Sequence, residues 1–365
     1  DGIRDRSPSR GLGDVYKRQI LKIMVIILLF AMPLGTVLTL MERKWSAMIQ
    51  DRVGPNRANI GKFTGHGALH IAADGLKSIF KEDTIPKGAD GFLYLIAPFF
   101  GLIAGVATFA IIPLAGPIGD FTFQVTDIEP GLLFIFAITS LSVYGAVLAG
   151  SSSNSKFALL GGTRASAQMI SYEVTMGLTI VGVLMVYGSM KLTTIGAIQE
   201  DFFRWGLFLQ PLGFFMFLAA SIAENKRIPF DNPEAESEIV AGYFTEYSGL
   251  KFGMFFMSEF IEMVTIGAIM TILFFGAWHI PFLTTATLLG WFDFLGTTGS
   301  NILVMLIQVG VFFSKVVFFI WLQMTIRWTL PRFRYDQIMK LGWKILLPLS
   351  LANILVTGIV ILVLN

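Results

Sequence analysis

The sequence predicts an all-α polytopic membrane protein with eight transmembrane helices. Three observations carry that reading. Apolar residues make up 54 % of the 365 and charged residues only 14 %, a balance no ordinary soluble domain shows. Eight predominantly apolar stretches of roughly 18–25 residues follow one another, each long enough to cross about 30 Å of hydrocarbon. Lysine and arginine crowd into alternate loops: eight in residues 42–91, two in 151–167, three in 224–251 and five in 323–344, against two in all the others. Basic loops stay cytoplasmic, because moving Lys or Arg across during insertion is disfavoured.

The spans run over residues 20–41, 92–114, 131–150, 168–188, 206–223, 252–276, 301–322 and 344–364. An even number places both termini on the non-cytoplasmic side of the cell inner membrane. Residues 1–19 break the pattern, because Arg4, Arg6, Arg10, Lys17 and Arg18 fall on the side that should be poor in cations. That stretch has neither a helical period nor the apolar core of a signal peptide, so we read 1–19 as a non-native or disordered tail. Residues 20–365 form a single membrane domain. Cysteine is absent, which excludes an iron–sulfur cluster, a thiolate zinc site and a disulfide within this chain. His66, His70 and His279 are the only histidines, so a haem held by two histidine pairs is excluded too.

The first cytoplasmic loop is an element rather than a linker. Met41-Glu42-Arg43-Lys44 leads into Gln50-Asp51-Arg52-Val53-Gly54-Pro55-Asn56-Arg57, where Gly-Pro-Asn forces a tight turn that aims Arg52 and Arg57. Next, His66, His70, Asp74, Lys77 and Lys81 follow helical spacing on one stripe, with Leu69, Ala72, Ala73, Leu76, Ile79 and Phe80 opposite. Such an amphipathic helix lies in the membrane surface, apolar side down, or packs on the bundle. His66 and His70 could ligate a metal, but no third ligand is apparent.

The third cytoplasmic loop is acidic. Residues 224–251 hold six carboxylates (Glu224, Asp231, Glu234, Glu236, Glu238 and Glu246) against three cations. Crowding of that kind raises some carboxylate pKa values, more so with burial. Asn232 suits a helix N-cap and Pro233 a first helical position, so a short helix is expected to start there. Pro-Phe and Gly-Tyr punctuation favours a packed loop over a solvated one.

Four charges lie deep inside spans: Glu173, Glu259 with Glu262 one turn on, and Lys315. Each costs on the order of 2.5–3.5 kcal/mol to insert, so they face the bundle interior, pair or neutralise. Lys315 could partner a glutamate. Glu173 and Glu259 could instead join the acidic loop in a protonatable path. The last cytoplasmic loop, from Arg327 through Arg332, Phe333 and Arg334 to Asp336, mixes cations with aromatics. It suits a lipid-headgroup patch, a docking surface or a cavity wall, and is too short for nucleic-acid binding.

These motifs resemble one family closely. Glu42-Arg43, the run Arg52 to Arg57, Ala73-Asp74-Gly75-Leu76-Lys77, Ser171-Tyr172-Glu173, Ile228-Pro229-Phe230-Asp231 with Pro233-Glu234-Ala235-Glu236-Ser237-Glu238, and Pro331-Arg332-Phe333-Arg334-Tyr335-Asp336-Gln337 resemble the H subunits of proton-translocating NADH:quinone oxidoreductase (respiratory complex I). The likeness covers about residues 20–365 in order. It implies a membrane-arm translocase subunit with a quinone tunnel, ubiquinone or menaquinone as substrate, and no redox centre of its own. Flavin and iron–sulfur clusters would sit on partner subunits, soluble ones at the cytoplasmic loops and small membrane ones laterally, with lipid around the spans. The resemblance assigns Arg43, Arg52, Asp74, Lys77, Arg227, Phe230 and Arg327 to the quinone tunnel. It assigns Glu42, Glu173, Glu224, Asp231, Glu234, Glu236, Glu246, Glu259 and Lys315 to proton coupling. Arg57, Arg332, Arg334 and Asp336 would shape subunit contacts or the cavity, while Glu262 matches no family position. Two other classes stay open from the residues alone: the membrane anchor of a related hydrogenase-type complex, and a proton or cation transporter. The transporter predicts two similar halves, and no internal repeat is found.

Overall fold

A computed structural model describes residues 19–24, 32–59, 61, 65–117 and 123–364. Residues 1–18, and with them most of the expected tail, lie outside the described residues. Among those described, six helical stretches are long and apolar enough to cross a membrane: α3 (Gly91–Thr108), α4 (Gly131–Ser152), α5 (Lys156–Tyr187), α9 (Gly249–Phe274), α11 (Gly296–Thr329) and α12 (Tyr335–Leu364). The chain is a multi-pass membrane protein. Among the other helices are α1 (Met32–Ile49), α2 (Leu69–Phe80), α6 (Leu192–Ile198), α7 (Pro211–Glu224), α8 (Glu236–Ile239) and α10 (Thr285–Trp291).

Six is fewer than the eight expected, and the difference falls at two places. The first expected span, 20–41, includes residues 25–31, which lie outside the described residues, and its described end forms α1. The fifth, 206–223, is interrupted at Gln210, whose φ of −138° leaves a one-turn helix, Gly206–Leu209, ahead of α7. Gln210 breaks the helix to serve another: its buried amide donates to Thr357 Oγ1 at 2.7 Å and accepts from Asn353 Nδ2 at 2.9 Å, both on α12.

Helix α9 is the hub, with 83 % of its apolar window buried against 22 % for α12. Its apolar face joins α3, α5, α7 and α11 in one core around Phe217, Phe260, Phe274, Ile272 and Phe319. Close approach comes from small residues. Gly161 of α5 meets the backbone of Gly242, so near that a β-carbon there would lie 2.5 Å from the Tyr243 amide nitrogen. Gly242 has φ +61° and abuts the Pro233 carbonyl, where any side chain would clash.

Three expectations about local structure need correction. His66 is not on the amphipathic helix: Gly65, His66 and Gly67 have φ of 52°, 53° and 91°, so α2 begins only at Leu69. His70 Nε2 accepts the amides of Arg57 and Ala58, both at 3.1 Å, which occupies its lone pair and pins the Gly-Pro-Asn turn. Asn232 caps no helix. Its Nδ2 donates to the Phe333 carbonyl at 3.1 Å, and the short helix α8 starts at Glu236 instead.

Lys315 partners no glutamate. Its Nζ donates to the carbonyls of Phe275, Ala277 and His279 at 2.7, 3.0 and 2.6 Å and lies over the Trp205 ring. The chain leaves α9 there through Gly276 and Ala277, both with positive φ, which frees carbonyls that one ammonium satisfies. The α2 helix is amphipathic as expected. None of its residues is buried, and Leu76, Ile79 and Phe80 stay exposed on the chain.

Candidate functional site

The acidic loop is packed, as its punctuation predicted, and the devices that pack it also build the site. Gln168 of α5 clamps both ends of the first segment, donating from Nε2 to the Ala223 and Phe230 carbonyls at 2.7 Å each. The Phe333 amide donates to the Pro229 carbonyl at 2.9 Å, strapping the acidic loop to the last basic loop. Further along, Tyr247 stacks on Tyr94 with ring centroids 4.1 Å apart, while Tyr94 Oη donates to the Glu246 carbonyl at 2.7 Å. Phe230 is buried between the Tyr172 and Phe333 rings.

Two charged groups converge on α9 from loops far apart in sequence. In the first, Glu42 of α1 takes Arg227 Nη1 at 2.7 Å on one oxygen and pairs with Arg327 of α11 through the other. Arg227 also lies 4.0 Å from Glu259 and rests on the Phe260 ring. Burial alone would depress the Arg227 guanidinium, but the Glu42 and Glu259 carboxylates outweigh it and hold it above its ordinary value. In the second group, Lys226 Nζ donates to Tyr243 Oη at 2.9 Å. That hydroxyl lies 3.5 Å from Glu234 and 3.4 Å from Glu259. A phenol has one proton to give, so it serves one carboxylate at a time. Burial and then the Glu259 carboxylate push Glu234 well above the usual carboxylate range, which favours its protonated form.

Asp231 sits at the edge of this cluster. Its Oδ2 accepts from Arg332 at 2.8 Å, whereas its buried Oδ1 has no partner among the described residues. Burial outweighs the pull of Arg332 and Arg327 and pushes Asp231 up to about 6. The native state therefore binds this proton more tightly than the unfolded chain does. Its contribution to stability is present at low pH and is lost as pH rises through about 6. A carboxylic C=O band is expected to titrate near that pH in infrared spectra and to be missing in Asp231→Asn.

Toward the middle of the bundle, Glu173 of α5 accepts from Ser140, at the kink of α4. Glu224 and Asn225 close the end of α7 nearby, and Glu262 lies one turn beyond Glu259. A cavity of about 720 Å³ opens between α1 and α11, lined by Leu38, Met41, Trp45, Val317, Phe318 and Trp321 among others, with Met41 next in sequence to Glu42 and Met324 three residues before Arg327. Its walls are almost wholly apolar. Lys44 is its one lining residue with a formal charge among those described. Trp45 ties the two helices at its end, donating to Thr325 Oγ1 at 3.1 Å and packing edge-on against Trp321.

This combination of an apolar side opening and buried carboxylates paired with arginines can be compared with known proteins. The NADH dehydrogenase family model matches residues 21–358. The chain belongs to that family. The NADH-quinone oxidoreductase H subunit of Bdellovibrio bacteriovorus is 42 % identical over 96 % of this chain and 98 % of its own length. The first of the numbered NADH-quinone oxidoreductase H subunits of Geobacter sulfurreducens is 44 % identical over 96 % and 97 %. The second of those of Geobacter metallireducens is 45 % identical over 95 % and 96 %. The family membership agrees with the resemblance read from the motifs, and such relatives place a multi-pass protein of this kind in the bacterial inner membrane.

Within this family member the geometry sorts the residues singled out by sequence. Glu42, Arg227, Glu259, Glu234, Asp231, Arg327 and Arg332 come together, with Glu224 and Glu173 deeper in the bundle. Arg43 pairs with Asp74, which fastens α1 to α2 rather than reaching the buried cluster. Arg52 donates to Gln50 at 2.7 Å on an exposed turn, and Lys77, Arg57 and Glu236 are exposed as well. Arg334 and Asp336 pair with each other at the surface. Glu246 contributes its backbone carbonyl to the Tyr94 contact, with no side-chain partner among the described residues. Lys226, Tyr243 and Asn225 are participants that sequence reasoning passed over. A lysine beside an arginine at a membrane surface reads as an anchor, and only the three-dimensional packing shows Lys226 to be buried.

Proposed function

We propose that this chain is the membrane subunit of a proton-translocating NADH:quinone oxidoreductase, and that it admits the quinone sideways from the bilayer. The single observation that carries the reading is the apolar cavity between α1 and α11, the two helices that also supply Glu42 and Arg327 to the buried ion-pair group. An isoprenoid tail suits walls of Leu38, Trp45, Phe318 and Trp321, and a quinone head suits the Glu42–Arg227–Arg327 group supplied in part by the same two helices. In this reading the basic loops face the cytoplasm and the soluble redox subunits, and flavin and clusters on those partners supply the electrons. The substrate is ubiquinone or menaquinone.

Reducing a quinone takes two electrons and two protons, and any lag of the protons leaves anionic charge on the head. Arg227 and Arg327 balance that charge, since Glu42 is a single anion between two cations. Protons come from the coupled set of Glu234, Tyr243 and Glu259, which redistributes when a charge appears beside it. Glu224 and Glu173 continue the same polar path into the bundle, and Asp231 with Arg332 sits at its mouth.

Glu236 gives the cleanest test. It is exposed with no described partner, so Glu236→Ala is expected to change stability by less than about 0.5 kcal/mol. Loss of NADH oxidation by quinone, with oxidation by a water-soluble upstream acceptor kept, would place the acidic loop in the quinone reaction. Retention of both activities would remove Glu236 from it.

A further inference from the structure

Glu262 is the one buried-bundle carboxylate the functional reading leaves without a role, and its surroundings give it one. It lies three residues beyond Glu259 on α9, about 4.5 Å along the axis, on the same face. On one side is the Lys226–Tyr243–Glu259 node, and on the other are Glu224 and then Glu173. Ser142 of α4 lines the same cavity as Glu262.

Between Glu262 and Glu224 is a small cavity of about 30 Å³, lined by Ser142, Thr139, Thr265, Glu224, Asn225 and Glu262 together with apolar side chains. Asn225 is 1 % exposed, and both its Nδ2 and Oδ1 lack a hydrogen-bond partner among the described residues. A buried amide left so bears the desolvation penalty of both orphaned groups, which a polar occupant of the cavity removes. A volume of this size admits one water molecule, and the walls supply the two to four polar partners a buried water needs.

We infer that this cavity is a water site and that Glu262 relays protons through it, between the Tyr243–Glu259 node and Glu224. This inference rests on the proposed proton-coupling role of these carboxylates. In the step, protonated Glu262 gives its proton to the bridging water, which passes one to ionised Glu224. Glu262 is then recharged from Glu259. One proton moves one station, and no electron or net charge is created. Asn225 holds the water by accepting from it and donating to it, so it is a positioning residue.

The test uses the whole assembled complex in proteoliposomes. Glu262→Gln keeps shape but carries no proton, and Asn225→Leu replaces the amide with an apolar side chain of similar size. Each is expected to slow quinone-dependent turnover on the order of a hundredfold, the low end for loss of a proton-transferring group. Each should also raise the solvent deuterium isotope effect, with the upstream acceptor activity unchanged. Glu262→Asp should recover most of the rate. Wild-type turnover, pumping and isotope effect in Glu262→Gln or Asn225→Leu would overturn the relay. Glu224→Gln separates the two levels: if it too is fully active, the coupling reading fails, whereas a slow Glu224→Gln beside an active Glu262→Gln refutes the relay alone. Radiolytic footprinting of the wild-type complex needs no variant. A bound water should give rapid oxidation of cavity-lining Met176, and protection of Met176 would overturn the water site.

Discussion

Arg227→Met is expected to abolish quinone-dependent NADH oxidation and to lower the thermal stability of the assembled complex. Arg227 is 6 % exposed and donates to Glu42 at 2.7 Å, with Glu259 a further 4.0 Å away. Removing one partner of a buried ion pair typically costs about 3–5 kcal/mol, because the remaining charge stays buried and uncompensated. Here two carboxylates lose a cation at once. In the proposed reading the substitution removes positive charge from the place where quinone reduction creates negative charge, and it weakens the contact that joins α1 to the acidic loop. A double substitution with Glu42→Gln should lose less stability than the sum of the two single changes, since the pair is one unit. Wild-type quinone activity and melting temperature in Arg227→Met would contradict the arrangement.

Val317→Trp is expected to act through space rather than charge. Val317 lines the 720 Å³ cavity from α11, across from Met41 and Trp45 of α1. An indole there occupies volume that an isoprenoid tail would need. Overfilling a packed site costs about 1–3 kcal/mol, and every 1.4 kcal/mol is roughly tenfold in affinity. The Michaelis constant for a long-chain quinone should rise by about tenfold or more, whereas a short water-soluble quinone should be affected less. Electron transfer to an upstream acceptor should not change. Equal loss with all acceptors would point to misassembly instead.

Much of this was legible in the sequence, for identifiable reasons. The spans were visible because hydrocarbon thickness sets a length that composition must meet. Charges inside spans stood out because each one costs energy to insert, and Glu259 does lie in the buried cluster. Spacing could not show which charges meet. Glu42 and Arg227 are 185 residues apart, and their pairing depends on α1 and the acidic loop both packing on α9. Lys315 misled for a similar reason: nothing in a periodic pattern announces three carbonyls freed by positive φ at Gly276 and Ala277. The His66 stripe failed because helical spacing carries no information about a left-handed turn between two glycines. Gln210 broke an expected span because a polar side chain was needed by another helix.

In the proposed function, quinone reaches this chain through the α1–α11 opening. A photoreactive quinone with the azide on its isoprenoid tail, bound to the assembled complex and cross-linked, tests it most directly. Labelling on peptides carrying Met41 to Met48 and Val317 to Met324, displaced by excess natural quinone, is the predicted result. Displaceable labelling confined to other surfaces of this chain, or to other subunits alone, would contradict it.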